Sequence, residues 1–315
     1  MIYTVTLNPA LDKTVEIPSL RINEVNRITS MRTDPGGKGI NVSKVISKLH
    51  GASVVVGILG GNTGRAILAA LKELGLETCF HFVEGETRTN MKIVDPEMHT
   101  NTDINEPGVT VSEEILRELL AELLGKISEG DIVVISGSMP KGSPKDTYFT
   151  WTKACREKGA RVILDADGDL LKEGLKASPY LIKPNHHELS ALAGKELETH
   201  EELEAKAREL MEEYGITKVV VSMGGDGALY VTGDQTVYAE GLKVPVGSTV
   251  GAGDSVVAAL AIAEERGMSL EDTVCLSTAT GAANVMCSGT QAAEYDVIER
   301  LIPKVVFHER RSGER

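Results

Sequence analysis

Short, almost wholly apolar runs alternate with longer helix-period stretches along most of the chain. The apolar runs are rich in Val and Ile, which is typical of parallel strands buried on both faces. They lie at 2–7, 53–59, 131–136, 161–166, 180–184 and 218–223. The helix-period stretches lie at 39–50, 63–74, 112–127, 145–158 and 200–214. Because strands and helices alternate, the sequence predicts an α/β fold, with an open, mostly parallel sheet and helices on both faces.

Two segments interrupt this alternation. Residues 13–34 and residues 86–105 alternate apolar and polar side chains and carry no helix signal. That pattern predicts half-exposed antiparallel strands. Since each segment leaves the sheet after a core strand, we expect the two to assemble into a small β-flap. The polar tail HERRSGER (308–315) is expected to fray.

The charge of the chain limits its partners. The formal net charge is −13 over 315 residues. Such an acidic protein is not expected to carry a broad surface for nucleic acid or for an anionic membrane. Any phosphorylated ligand must therefore be held by local cations and backbone amides. The length allows one large α/β domain or two ordinary ones.

The cysteines and the N-terminus indicate a cytoplasmic protein. No two of the four cysteines stand at a metal-ligand spacing; they are Cys79, Cys155, Cys275 and Cys287. So few cysteines form no disulfide scaffold, and we expect buried, reduced thiols. The stretch MIYTVTLNPALD lacks the basic segment of a signal peptide. No apolar run approaches the roughly 18–20 residues that span a bilayer.

Polar or glycine-rich segments follow the predicted strands. Asp12 follows the first strand, and Asp165 ends the strand that begins at residue 161. GSMPKG (137–142) and KPNHHE (183–188) follow two further strands. Because ligands of open α/β sheets bind outside the carboxyl ends of the strands, these segments should meet at one edge of the sheet.

The glycine-rich stretch GSTVGAGDS (247–255) precedes a run of small apolar residues. It is not a Walker A loop, because Asp254 occupies the lysine position, and it is not a dinucleotide fingerprint, because Val256 replaces the third glycine. Gly251 and Gly253 let backbone N–H groups approach a ligand, and a helix starting near Asp254 adds its positive N-terminal end. These features predict a pocket for a developing anion. The motif alone leaves open that Asp254 is an ordinary helix N-cap.

A second glycine-rich stretch, DPGGKGINVSKVI (34–46), combines glycines with Lys38 and Asn41 at a helix start. Backbone amides and amide side chains of this kind suit small polar ligands, especially polyols. The alternative is a simple turn before a helix with a solvated lysine.

The stretch GETRTN (85–90) places Arg88 and Asn90 on the predicted flap. A guanidinium group is well shaped to bind a phosphate through two parallel hydrogen bonds. An exposed strand arginine is the alternative that remains open.

The stretch KPNHHEL (183–189) places Lys183 at a strand end, with Asn185 and Glu188 at a helix start. Residues three apart on a helix can face the same side, which suits a water-mediated Mg²⁺ site. A capped helix with a surface acid is the alternative.

Two further stretches admit a structural and a functional interpretation. SMGGDG (222–227) is a glycine turn after a strand, and it either covers a nucleotide or closes a β-hairpin. ATGAANVM (279–286) is a small-residue helix, a composition typical of close packing.

Taken in this order and spacing, the stretches resemble the ribokinase-like carbohydrate kinase family, the phosphofructokinase-B group. The resemblance covers residues 1–303. PGGKGINVSKVI resembles the first signature of the family and STVGAGDS the second. TLNPALD, ETRTN, SGSMP and KPNHHEL resemble the branch that phosphorylates hexose phosphates. The second signature begins with Ser-Thr-Val where much of the wider family has Asp-Thr-x, and its Gly-Ala-Gly-Asp core is intact.

The resemblance implies a three-layer α/β/α fold with a β-sheet lid. It implies one kinase domain over 1–303 with the two flap segments inserted, and a polar tail at 304–315. ATP and Mg²⁺ are the implied cosubstrate and metal, and a homodimer joined through the lid is the implied assembly. The expected reaction transfers the ATP γ-phosphoryl group to a ketohexose phosphate, in the first place D-fructose 1-phosphate. Tagatose 6-phosphate or fructose 6-phosphate as acceptor, a nucleoside or unphosphorylated-sugar kinase, and a non-catalytic sugar-phosphate binder remain alternatives.

The resemblance also implies roles for individual residues. Asp254 is the expected general base, and charge on the transferring group is expected to be stabilised by the amides of Gly251, Ala252 and Gly253. The residues expected to bind the acceptor are Asp12, Gly37, Asn41 and Asn90, with Lys38, Arg88 and the nearby Ser138 at its phosphate. The residues expected to bind ATP are Lys183, Asn185, Ser222, Gly224, Gly225, Gly227, Thr249 and Asn284, with Glu188 addressing Mg²⁺.

Overall fold

A ten-stranded sheet crosses the centre of the protein. The structure, a computed structural model, describes residues 1–311. The spatial order of the strands is β14 (Phe307–Arg311), β13 (Gln235–Glu240), β12 (Gly227–Val231), β11 (Lys218–Ser222), β10 (Leu181–Ile182), β9 (Arg161–Asp165), β8 (Ile132–Ser136), β1 (Ile2–Thr6), β4 (Ser53–Gly60) and β5 (Glu77–Val83). Pairing is parallel from β11 to β5 and antiparallel from β11 to β14. The predicted open, mostly parallel sheet is confirmed.

Helices form a layer on each face of this sheet, which gives the expected three-layer α/β/α arrangement. One layer consists of α1 (Lys38–Lys48), α2 (Gly61–Glu73), α8 (Ala252–Arg266), α9 (Leu270–Val285) and α10 (Tyr295–Leu301). The other consists of α3 (Glu113–Lys126), α4 (Thr147–Glu157), α5 (Gly168–Leu175), α6 (His186–Ala193) and α7 (His200–Tyr214). Strands β1 and β8 are buried at every residue because both layers cover them. Within residues 1–311, no helix has the length and apolar character needed to cross a membrane.

The two interrupting segments form a separate small sheet, as predicted. Its strand order is β3 (Ser30–Gly36), β2 (Ala10–Glu16), β6 (Arg88–Asp95) and β7 (Thr100–Asn105). We call this sheet the lid. Pairing is antiparallel within each segment but parallel between β2 and β6, so the antiparallel prediction is wrong at that seam. The reason is that β2 and β6 leave the same edge of the central sheet, after β1 and β5, in the same direction.

The tail contains more structure than its composition indicates. Residues 307–311 form β14, which pairs antiparallel with β13, so the predicted fraying is wrong up to residue 311. The edge of β13 offers backbone N–H and C=O groups that this strand satisfies. The remainder of the expected tail, 312–315, lies outside the described residues.

The strand order changes direction at β1. The chain adds β4 and β5 on one side of β1, and β8 to β11 on the other. Open α/β sheets bind ligands outside the carboxyl ends of the strands at such a switch point. The lid rises from this same edge, because β2 follows β1 directly and β6 follows β5.

Candidate active site

A cavity of about 370 Å³ lies between the lid and the carboxyl edge of the sheet. Its walls come from the lid, from the start of α1 and from the start of α8. The lining residues are Asp12, Lys13, Thr14, Gly37, Lys38, Asn41, Arg88, Asn90, Lys92, Asp103, Asn105, Val250, Gly251, Asp254, Gly289 and Thr290. The two glycine-rich stretches, far apart in sequence, therefore meet in one cavity.

Asp254 lies in the first turn of α8 and is 7% exposed. The N-cap of the helix is Gly251, whose φ of 80° favours glycine, so the alternative of Asp254 as the N-cap is wrong. Its carboxylate instead accepts a 2.8 Å hydrogen bond from Nδ2 of Asn41. Burial, together with the nearby carboxylate of Asp165, raises the pKa of Asp254 to about 6. A carboxylate with that pKa can accept a proton near neutral pH.

Two lysines and Asp165 form a charge cluster beside Asp254. The carboxylate of Asp165 lies 3.3 Å from Nζ of Lys38 and 3.4 Å from Nζ of Lys183. Burial opposes the charge of Asp165, but the two ammonium groups outweigh it and hold its pKa below the usual value. Burial would likewise lower the pKa of Lys38, but the carboxylates of Asp165 and Asp254 raise it overall. The raised pKa keeps Lys38 charged, and Asp165 holds the ammonium groups of both lysines at one place in the site.

The role of Asp165 was not predicted from the sequence. It was recognised only as a residue at a strand end, and its position at the end of β9 was the available signal. The pairing with two lysines from separate stretches requires the folded sheet.

Close packing explains why glycines surround Lys38. A Cβ at Gly39 would overlap Oγ1 of Thr6 and would lie 2.7 Å from the carbonyl oxygen of Val5. A Cβ at Gly36 would overlap the carboxylate of Asp12. The glycines therefore let the start of α1 closely approach β1 and the lid strand β2.

The lid strands bring Asp12 and Asn90 together. The parallel register of β2 and β6 sets these residues opposite each other, and Nδ2 of Asn90 donates a 3.0 Å hydrogen bond to Asp12. Burial raises the pKa of Asp12, and the bond from Asn90 partly opposes that shift. Oδ1 of Asn90 is buried without a hydrogen-bond partner. Oδ1 of Asn41 is in the same condition, so both amides retain acceptors for a polar ligand.

Arg88 lies between the cavity and an adjoining pocket of about 200 Å³. Its guanidinium donates to the carbonyl oxygen of Asn8 at 3.0 Å and approaches Oγ of Ser138 at 3.5 Å. Burial lowers the pKa of Arg88. Nδ2 of Asn8 also donates to Ser138, at 3.2 Å. The sequence predicts no role for Asn8, which lies within TLNPALD, and the structure shows that it contacts Arg88 and Ser138, two of the three predicted phosphate ligands.

The predicted metal ligands lie in a helix cap. Asn185 is the N-cap of α6: its Oδ1 accepts from the amide of Glu188, and Glu188 accepts from the amide of Asn185, both at 2.8 Å. The structure therefore shows the helix cap, and the metal role of Glu188 stays a prediction. One carboxylate oxygen of Glu188 remains outside these bonds. Within residues 1–311, no three metal-ligating side chains cluster. Mg²⁺ needs only one or two carboxylates when phosphates and water supply the rest, so this donor set fits a water-mediated ion.

None of the predicted nucleotide residues lines this cavity. Ser222 ends β11, and Gly224, Gly225 and Gly227 form the 3₁₀ turn and first residue of the β11–β12 hairpin. That turn does close a hairpin, while its nucleotide role stays a prediction. Asn284 is buried, and its Nδ2 lies 3.4 Å from the position that a Cβ on Gly251 would occupy. Oδ1 of Asn284 is buried without a hydrogen-bond partner.

The loop before α8 lies where the sequence predicts an anion pocket. The carbonyl oxygen of Thr249 accepts from the amide of Ala252 at 3.4 Å. The amides of the first helical turn point out of the helix and lack partners within it. A Cβ on Gly253 would lie 3.3 Å from Nζ of Lys183, so this glycine brings the backbone close to the cation.

These groups together define a phosphotransferase site. A buried carboxylate can take a proton from an attacking hydroxyl, helix-terminal amides can stabilise phosphoryl oxygens, and two lysines can neutralise phosphate charge. On an α/β/α sheet with a β lid, this is the site of a sugar kinase.

The chain belongs to the pfkB family of carbohydrate kinases, whose sequence profile matches residues 6–296. It is similar to 1-phosphofructokinase of Bacillus subtilis (strain 168), with 39% identity over 305 residues that cover 97% of this chain and 98% of that protein. It is also similar to phosphofructokinase-2 from Escherichia coli, solved in complex with substrates and products. The TM-score is 0.92 at 32% identity, covering 96% of this chain and 98% of that one. The tetrameric inhibited form of the latter enzyme gives a TM-score of 0.89 at 31% identity, with the same coverage.

Proposed function

We propose that this kinase transfers the γ-phosphoryl group of ATP to D-fructose 1-phosphate and forms fructose 1,6-bisphosphate. The observation that carries the proposal is the buried Asp254, with a pKa raised to about 6, facing a cavity whose opposite wall holds Asp12 and Asn90. The similarity to 1-phosphofructokinase supports the choice of acceptor.

The first step that the chain performs is proton removal. Asp254 accepts the proton of the acceptor hydroxyl as that oxygen attacks the γ-phosphorus. Asn41 holds Oδ2 of Asp254 in place and leaves the other carboxylate oxygen to face the hydroxyl. The amides of Gly251, Ala252 and Gly253 stabilise charge on the transferring group. Because phosphoryl transfer depends mainly on positioning and electrostatics, this division of roles is sufficient.

Lys183 serves the ATP side. It lies beside Gly253, and its ammonium group can turn from Asp165 toward the β- and γ-phosphates. Mg²⁺, when bound with ATP, supplies further neutralisation of phosphate charge, with Glu188 and Asn185 holding its water ligands. Ser222, the 224–227 turn, Thr249 and Asn284 are proposed to surround the rest of the nucleotide.

The lid serves the acceptor side. Asp12 and Asn90, with Gly37 and Asn41, are proposed to bind sugar hydroxyls. Arg88 and Ser138 are proposed to hold the phosphate that the sugar already carries, with Lys38 completing its charge balance. A phosphate near Arg88 also explains why that guanidinium lies at the junction of the two cavities.

The outer surface of the lid is proposed to join two copies of the chain into a homodimer. Seven large apolar side chains of the segments 13–34 and 86–105 are exposed: Leu20, Ile22, Val25, Ile28, Met31, Met98 and Ile104. A concentration of exposed apolar side chains in two segments of one small sheet is typical of interaction surfaces. Residues 1–303 are proposed to act as one kinase domain in the cytoplasm, which agrees with the four free thiols.

A panel of acceptors tests the proposal. The rate of ADP formation is measured with fructose 1-phosphate, fructose 6-phosphate, tagatose 6-phosphate and ribose at equal concentrations. The highest kcat/KM is expected with fructose 1-phosphate. A higher kcat/KM with another hexose phosphate would make that compound the acceptor in place of fructose 1-phosphate. Turnover confined to ribose would contradict a phosphorylated acceptor.

A further inference from the structure

One loop touches both halves of the active site. Residues 286–291 follow α9 and connect it to the segment before α10. On the nucleotide side, the amides of Gly247 and Ser248 both donate to the carbonyl oxygen of Val285, the last residue of α9 just before this loop, at 2.8 Å and 3.1 Å. A Cβ at Gly247 would lie only 2.6 Å from the carbonyl oxygen of Cys287, so the two loops are in close contact. The 286–291 loop therefore supports the anion pocket from behind. We call it the bridging loop.

On the sugar side, two cations hold the bridging loop. Nη1 of Arg32, on lid strand β3, donates to the carbonyl oxygen of Ser288 at 3.1 Å. Nζ of Lys44, on α1, donates to the carbonyl oxygen of Thr290 at 3.0 Å and to that of Pro35, at the end of β3, at 3.1 Å. Each cation thus ties the lid or its base to the same short loop.

Stability alone does not explain these two contacts. Lys44 has no ion pair with a carboxylate among the described residues, and burial lowers its pKa. Arg32 pairs with Asp34 at 2.7 Å, yet its Nη2 is buried without a hydrogen-bond partner. Partly buried charges that donate to backbone carbonyls are costly when a neutral side chain could fill the same space. Both cations contact a loop that lies between two binding sites, which indicates a role in linking them.

The register of the lid links these cations to the sugar. Within the β2–β3 pair, Asp12 lies opposite Asp34, and Thr14 lies opposite Arg32. Under the proposed function, a sugar held by Asp12 would restrain β2 and, through this pairing, β3. Restraining β3 would hold Arg32 against the bridging loop, and that loop contacts the backbone at Gly247. A second ligand then binds to a site that is already ordered, so its binding loses less conformational entropy.

We propose that Arg32 and Lys44 are positioning residues that couple acceptor binding under the lid to nucleotide binding at the start of α8, through the bridging loop. The inference rests on the proposed kinase function. It predicts positive and reciprocal coupling, so each ligand tightens the binding of the other by the same factor.

The test is a binding cycle without turnover. Calorimetry gives the Kd of the Mg²⁺ complex of the β,γ-imido analogue of ATP, first alone and then with saturating fructose 1-phosphate. In the wild-type protein the sugar phosphate is expected to tighten nucleotide binding by about fivefold or more. In Arg32→Gln that ratio is expected to fall toward one, while the Kd for the nucleotide alone stays within about twofold.

Position 44 supplies an independent arm with matched controls. Lys44→Met is expected to lose the coupling and Lys44→Arg to retain it. Lys48→Met removes a solvent-facing lysine one turn further along α1, paired with Glu294, and is expected to keep the wild-type ratio. A wild-type ratio of one, or unchanged ratios in both Arg32→Gln and Lys44→Met, would overturn the inference while fructose 1-phosphate turnover stays intact. Absence of fructose 1-phosphate binding to the wild-type protein would instead contradict the proposed acceptor together with the inference.

Discussion

Asn41 and Asp254 are 213 residues apart in sequence and are joined by a 2.8 Å hydrogen bond in the wall of the cavity. This bond stabilises the ionised carboxylate, whereas burial favours the protonated form. The side-chain amide of Asn41 therefore lowers the pKa of the proposed base, Asp254, and also orients its carboxylate.

Asn41→Ala is expected to shift the pH profile of the reaction. The folded-state pKa of Asp254 is raised to about 6, so kcat/KM in the wild-type protein should rise with pH through about 6 and then level off. Removing the donor of Asn41 removes a stabiliser of the charged form, so the pKa rises and the acidic limb moves to higher pH. The measurement is kcat/KM for the sugar phosphate from pH 5 to 9. A limb that stays in place in Asn41→Ala would show that the bond does not tune the base.

Arg88→Ala is expected to raise KM for the sugar phosphate by about tenfold or more and to leave KM for ATP nearly unchanged. Hydrogen bonds to charged groups contribute about 1.5–3 kcal/mol, which corresponds to that factor. Arg117→Ala, at an exposed arginine on α3, is the control and should change neither constant. Equal increases in both KM values for Arg88→Ala would exclude Arg88 as the phosphate ligand of the sugar.

Glu188→Gln separates the proposed metal role from the cap. A glutamine can still accept from the amide of Asn185, so α6 should remain capped. Loss of the negative charge should raise the Mg²⁺ concentration for half-maximal rate several-fold. Glu202→Gln alters the second capping box, with Thr199 at the start of α7, and serves as the matched control. An unchanged Mg²⁺ dependence would leave Glu188 with the cap alone.

Glu264→Ala is expected to destabilise the fold far from the active site. This carboxylate is 5% exposed and accepts from Arg161 at 3.1 Å and from the hydroxyl of Tyr180 at 2.9 Å, with Lys218 also paired to it. Removing one partner of a buried charged network costs about 3–5 kcal/mol. Urea denaturation measures the free energy of unfolding, with Glu265→Ala as control. If the free energy of unfolding falls by less than about 1 kcal/mol, water replaces the hydrogen bonds of the carboxylate and the network does not stabilise the fold.

The sequence was informative where a local pattern has one structural solution. Val-rich runs predicted buried parallel strands, and the Gly-Ala-Gly-Asp stretch predicted a helix start that carries an acid. Strand β5 was missed because its sequence, ETCFHFV, mixes polar and aromatic residues at the edge of the parallel region. The sequence did not predict the strand at 307–311, because this polar segment forms a strand only by pairing with the free edge of β13.

The site was predictable as a set of residues but not as a set of contacts. Motifs identified Asp254, Asn41 and Lys38 separately, and only the fold shows that these three line one cavity and that Asp165 pairs with Lys38. The contacts of Arg32 and Lys44 with backbone carbonyls carry no sequence signal, because a carbonyl acceptor is present at every residue.

The most direct test of the central claim is the turnover of Asp254→Asn. Asparagine keeps the shape of the side chain and cannot accept the proton, so kcat with fructose 1-phosphate and ATP should fall by about 10²–10⁴-fold. The Kd for the nucleotide should change little, and Asp296→Asn on the exposed face of α10 should leave kcat unchanged. A fall in kcat of less than about tenfold in Asp254→Asn would contradict the assignment of this residue as the general base.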